Sequence, residues 1–341
     1  MRLGWALVIA LCTFPAHGAV DEQATQTVDR KSDELYAAQR EAADRGSVSA
    51  LQWCLQHGSA KQQSPRIERE MYGALIESAS QGEGSVELGL SVLQLLRAEG
   101  DGIGRVSAAS LCARLRESTP ARTVRSASLF LEAQLLSPQD GKAGKQRVRA
   151  RGLLSELIDD YPKSMELRRA RDARWRLDHL SIGCVAPDFM THDVDGNELR
   201  IKDYRDRVTV VRFLDFRDAE SGQLVERDVH MSDRFWDERF ALVGIGRDLS
   251  STHFRRAREE WGVTWDLGFE TLAAPKASRA WRVMDWPQTV VLDANGVVRA
   301  LGLEGVALEA QVAALIREQN AVQAQDDAGN KILDGRREGR R

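Results

Sequence analysis

The stretch Val208–Val229, VTVVRFLDFRDAESGQLVERDV, constrains the fold more than any other part of the chain. Val208 to Leu214 is an apolar run rich in β-branched residues, and its length and composition read as a buried central strand. The run breaks at Asp215-Phe216-Arg217-Asp218, and a helical pattern comes next with Leu224, Val225 and Val229 on one side. A strand, a tight turn and a helix in that order bring helix N-terminal amides to the strand's end, where α/β folds place their chemistry. The turn holds Asp218-Ala219-Glu220-Ser221 and contains no cysteine.

A chain of 341 residues suits about two domains, and its net charge of -3 argues against bulk affinity for nucleic acid or anionic membrane. Residues 1–18 carry an early arginine, an apolar run from Leu3 to Phe14 and the small residues Ala16 and Gly18. That is the pattern of a secretory signal peptide cut after Gly18, and the run is too short to span a bilayer permanently. Leu11 stands where a lipidated Cys12 would need a small residue before it. A protein exported to the periplasm or beyond, without stable membrane insertion, is therefore expected. Three cysteines remain after cleavage, Cys54, Cys112 and Cys184, with none at CxxC spacing from another. Cys54 and Cys112 sit in helical apolar patterns, as buried thiols or as a Cys54–Cys112 disulfide in an oxidising compartment.

Residues 19–32 form a polar leader, and 33–180 are helical in pattern with apolar residues recurring on one face. Glycine-rich breaks at Gly82-Glu-Gly84 and Gly100–Gly104 punctuate the helices. Ala150 to Ser164 resembles half of a tetratricopeptide-type unit, but no 34-residue period recurs, so the expectation is an irregular all-α domain. Its last helix carries Arg168, Arg169, Arg171, Arg174 and Arg176 interleaved with Glu166, Asp172 and Asp178, which reads as a solvated face rather than an anion-binding surface. From residue 181 the pattern changes to strands and helices through 318, with a helix expected over Ala274–Trp281. A hairpin is expected at Asp195-Gly196 and another at Asn295-Gly296. The helix over Val306–Gln319 closes the domain, and 319–341 has so little to bury that it is expected to be disordered. No metal or cofactor is expected. Asp193 and Asp195 lack the later acidic ligands of a calcium loop, and Gly244-Ile-Gly246 alone makes no nucleotide site.

Three segments agree in order and spacing with one family. Gly183-Cys-Val-Ala-Pro-Asp-Phe189 resembles the opening of redoxin domains. Asp195 to Val208 resembles their DG…L-x-D-Y-R-G-K-V segment, with Asp206 where glycine is usual. Trp286-Pro287-Gln-Thr289 through Gly296 resembles the segment that carries the cis-proline. Residues 181–318 thus resemble a thioredoxin-like α/β domain of the exported TlpA-type thioredoxins and the wider peroxiredoxin-like redoxins, behind a helical N-terminal domain.

The resemblance implies thiol–disulfide exchange at the turn, by a thiolate that the helix N-terminus stabilises and a second, resolving sulfur. Laid on this chain, Asp218 takes the place of the nucleophilic cysteine and Ser221 that of the resolving one. Neither performs those tasks, so the motif is degenerate. Asp218 reads as a helix-capping acid. Cys184, in the opening segment, is the domain's only sulfur nucleophile and the basis of the alternative reading, an oxidoreductase or peroxidase using a non-standard cysteine. Pro287 and Trp286 would flank a peptide groove, implying a protein or peptide partner.

Overall fold

The computed structural model describes residues 22–45, 47–57, 65–80, 85–99, 104–137, 144–236 and 239–338, with side chains over 33–325 of these apart from Pro65 and Glu99. The expected signal segment 1–18, residues 19–21 of the leader and the glycine breaks at 82–84 and 100–103 lie outside the described residues. The chain divides into two compact units, 1–103 and 104–341.

Among its described residues the first unit holds four helices: α1 (Glu22–Asp44), α2 (Val48–His57), α3 (Pro65–Ser80) and α4 (Ser85–Glu99). Leu51, Cys54 and Leu55 of α2, Met71, Tyr72 and Leu75 of α3, and Val92 and Leu96 of α4 are all buried. Those residues recur at helical spacing, so each helix buries one stripe. Helix α1 runs through the segment expected to be a loose leader, since nothing in 22–44 breaks a helix: it contains neither glycine nor proline.

The second unit begins with α5 (Arg105–Ser118), α6 (Arg122–Leu136), α7 (Gly144–Asp160) and α8 (Leu167–His179), each packed on the next. Glu132 of α6 is fully buried and pairs with Arg116 of α5 and with Arg149 of α7, the latter at 2.7 Å. The sequence pattern changes at residue 181, but the compact division falls after Ile103. Helices α7 and α8 are tied to the residues after 180: Arg176 donates to Gln288 Oε1 at 2.9 Å, Arg282 to Asp172 at 2.7 Å, and Arg147 to the Cys184 sulfur at 3.5 Å.

The α/β part starts with a hairpin. Strands β1 (Met190–His192) and β2 (Glu198–Arg200) pair antiparallel across Asp195-Gly196. The Asp193 carboxylate accepts from the Asp195 and Asn197 amides at 2.8 Å each, so it serves the turn. Then come β3 (Val208–Asp215), α9 (Ala219–Arg234), β4 (Phe240–Asp248), α10 (Ser251–Glu260), β5 (Asp266–Thr271), α11 (Ala277–Ala280), β6 (Gln288–Leu292), β7 (Val298–Leu301) and α12 (Gly305–Glu338). The sheet order is β5-β4-β3-β6-β7, with β3, β4 and β5 parallel and β6 and β7 antiparallel. This is a thioredoxin-like sheet, and every residue of β3 is buried at its centre. Val210 and Leu214 pack on one face with Leu224, Val225, Phe254 and Val312; Val211 and Phe213 pack on the other with Phe189, Ile201 and Trp281.

Two elements differ from expectation. Helix α12 does not stop at Gln319 but continues to Glu338, where a disordered tail over 319–341 was expected; the segment has little to bury, but it contains no proline to end the helix. The helix expected over Ala274–Trp281 shortens to Ala277–Ala280. Gly244 and Gly246, the fragment without a nucleotide role, have a packing reason. A Cβ at Gly244 would lie 2.4 Å from Leu267 Cδ1, and one at Gly246 would lie 2.4 Å from the Phe254 ring.

Candidate functional site

The parallel strands β3 and β4 end side by side at Asp215 and Arg247, which are register partners. The β3–α9 turn begins after Asp215. Asp218 is the N-cap of α9, its carboxylate accepting from the Glu220 amide at 3.3 Å. Ser221 lies one turn into the helix and is fully buried, its Oγ accepting from the Asp215 amide at 3.0 Å. Both residues therefore satisfy backbone donors that the turn would otherwise leave unpaired. Ser221→Ala removes the side-chain acceptor of the Asp215 amide and is expected to cost about 1–3 kcal/mol, read from the urea unfolding midpoint.

Asp215 organises the rim of the site. Its carboxylate accepts from Arg217 Nε at 2.9 Å and Nη2 at 2.7 Å, and from Arg247 Nε at 2.9 Å. Burial would raise this carboxyl, but the hydrogen bonds and charge of Arg217 and Arg247 outweigh it and hold it below the usual range. The Arg247 guanidinium also lies over the Trp286 ring, 4.3 Å from its centroid. Trp286 in turn sets its edge against Phe213 of β3 at 5.6 Å. The Trp286–Pro287 peptide bond is cis. The structure thus brings together Asp218, Ser221, Trp286 and Pro287 at one end of the sheet. Sequence reasoning missed Asp215 and Arg247; the polar pair ending two apolar strands was the available signal.

Cys184 is not among them. Its carbonyl accepts from the Val298 amide at 2.9 Å, Val298 is in register with Leu292, and Leu292 with Thr209. It therefore lies beside β7, level with Thr209 at the start of β3, and Asp215 is six residues further along β3, or about 20 Å in the strand direction at about 3.3 Å per residue. Its half-buried sulfur is 3.5 Å from both the Ser181 hydroxyl and Arg147 Nη2. Burial raises this thiol's pKa, but the hydrogen bonds from Ser181 and Arg147 outweigh it, and the net shift is downward. Cys112 is a fully buried thiol pushed up to about 12 by burial and by Glu132. Cys54 is also buried, and burial raises its thiol.

Among the described residues no group of three or more histidine, cysteine, aspartate or glutamate side chains is placed to hold a metal ion, and no helix is long and apolar enough to cross a membrane.

The AhpC/TSA family model matches residues 182–301. No curated protein matches the chain. Among solved structures, the thioredoxin domain of a thiol-disulfide oxidoreductase from Bacteroides vulgatus is 20% identical, covering 39% of this chain and 96% of that one at a TM-score of 0.36. A thiol-disulfide oxidoreductase from Bacteroides fragilis is 18% identical, covering 38% and 98% at a TM-score of 0.36. A secreted disulfide oxidoreductase from Mycobacterium tuberculosis is 14% identical, covering 37% and 96% at a TM-score of 0.33. The family match spans the sheet and the turn described above, and residues 182–301 form a redoxin domain of the AhpC/TSA family.

Proposed function

We propose that this protein is an exported, non-catalytic member of the redoxin class whose thioredoxin-like domain works as a binding or scaffold module for a protein or peptide partner. One observation carries the reading. At the turn where the family's chemistry requires sulfur, Asp218 caps a helix and Ser221 is buried on the Asp215 amide. A carboxylate there is stabilised by the helix N-terminus but attacks no disulfide, and a buried hydroxyl expels none. No cysteine comes after Cys184 in the sequence. Trp286 and Pro287 remain at the same end of the sheet and are the candidate contact residues. The signal pattern of residues 1–18 supports export.

The second reading, an oxidoreductase or peroxidase working through Cys184, is favoured by that sulfur's lowered pKa beside Arg147. Incubating the purified protein with insulin and dithiothreitol, and separately with hydrogen peroxide and a thiol reductant, tests the two. The expected result is consumption no faster than the protein-free control in both assays. Turnover that disappears in Cys184→Ser would establish the second reading instead.

A further inference from the structure

We propose that the cleft beside the cis-proline binds an acidic segment of a partner protein; this rests on the binding-module reading and names the chemistry of its ligand. The cleft has a volume of about 770 Å³ and lies at the end of the sheet where β4 and β5 finish. Helix α8 forms one wall with Arg168, Asp172 and Trp175, which share a face at helical spacing. The opposite wall carries Arg247, Arg279, Arg282 and Trp286.

The charge balance in the cleft is positive. Four arginines line it against two carboxylates, Asp172 and Glu270. Glu270 is already committed. It is buried, and it accepts from the Lys276 amide at 2.8 Å, from the Ala277 amide and from the Ser278 hydroxyl. Asp172 is held by Arg282 at 2.7 Å. Arg168 and Arg279, both exposed, have no carboxylate partner among the described residues. The other two guanidiniums already hold carboxylates, Arg282 that of Asp172 and Arg247 that of Asp215 at 2.9 Å, and are positioned by tryptophan: Arg282 lies 5.2 Å from the Trp175 ring centroid, and Arg247 4.3 Å from that of Trp286. A planar guanidinium fixed on a ring loses less freedom when it takes a carboxylate.

The size of the cleft decides the kind of anion. A single phosphate or carboxylate fills a small part of it, whereas a pocket of this volume buries a ligand of many atoms. The guanidiniums come from α8, β4, α11 and the segment before β6, so they are spread around the walls. An extended chain bearing several carboxylates meets such a distribution, and the half-buried faces of Trp175 and Trp286 give its backbone and apolar groups a surface.

The test is titration calorimetry of the full chain with a hexaglutamate peptide, a hexaglutamine peptide, inorganic phosphate and an oligothymidylate, at low and at physiological salt. Binding of the glutamate peptide alone is expected, weakening with salt as exposed charges are screened. Arg168→Ala/Arg279→Ala removes both unpaired cations from exposed positions, so the fold should survive, and the peptide should bind about tenfold more weakly or worse. Equal binding of the glutamine peptide, preference for phosphate or oligothymidylate, unchanged affinity in the double variant, or no binding at all would each overturn the proposal. Its failure is separate from that of the binding-module reading, which the insulin and peroxide assays decide.

Discussion

Asp228→Ala is expected to destabilise the protein by about 3–5 kcal/mol, the cost of leaving a buried charge without its partner. Arg212 sits in the middle of β3 with 1% of its side chain exposed, and Asp228 of α9 is buried to the same degree. The pair is bidentate: Arg212 Nε and Nη2 donate to the two Asp228 oxygens at 2.8 and 2.7 Å. The remaining Arg212 nitrogen donates to the Thr289 hydroxyl on β6. Burial pushes the Asp228 carboxyl up further than Arg212 draws it back, so the net shift is upward, and removing either partner leaves the other buried and unpaired. Urea unfolding of Asp228→Ala, Arg212→Leu and the double variant Arg212→Leu/Asp228→Leu checks this. The double variant is expected to recover most of the loss, because no uncompensated charge remains in the core.

Trp281→Ala carries a comparable cost, about 3–5 kcal/mol, for a different reason. Trp281 is the largest fully buried side chain, and its indole N–H donates to the Pro187 carbonyl at 2.8 Å. Its ring meets the Phe189 ring edge-on at 5.0 Å and the Phe213 ring at 5.7 Å. The substitution leaves a cavity under one face of the sheet and orphans the Pro187 carbonyl. Phe213 also supports Trp286, so the loss reaches the candidate contact residue. Chemical denaturation gives the free energy. Trp281→Phe keeps most of the volume but not the hydrogen bond, and is expected to lose clearly less.

The elements legible in the sequence were those whose signal is local. Val208–Leu214 announces a central strand through consecutive β-branched residues, and the Asp195-Gly196 turn announces a hairpin that the Asp193 carboxylate then stabilises. The turn's lack of cysteine is a direct reading of residues 218–221. The features that stayed hidden depend on contacts between distant segments. Arg212 passed as one charge in an apolar run, since its partner lies sixteen residues on; Asp228 falls four residues after Leu224, at an apolar helical position, which is the trace such a pair leaves. The arginines of α8 looked alike in sequence. In the structure Arg174 pairs with Asp178 and Arg176 with Gln288, while Arg168 is left facing a cleft whose other wall arrives more than a hundred residues later. The segments 22–32 and 320–338, polar in sequence, were read as a loose leader and a disordered tail, whereas the backbone there is helical. Asp206, standing where the related domains have glycine, adopts a positive φ of 68° and so meets the same backbone demand by the residue type that tolerates it best after asparagine and glycine.

The central claim is that the redoxin frame is present and only its sulfur chemistry is missing from the turn. The measurement that tests it most directly is insulin reduction by the wild-type protein, by Cys184→Ser and by Asp218→Cys/Ser221→Cys, in one assay. The account predicts no turnover from the first two. It predicts turnover from the third, because a thiol at position 218 would sit at the α9 N-terminus, where its thiolate is stabilised. Turnover by the wild type that is lost in Cys184→Ser would contradict the account and move the chemistry to the other end of the sheet.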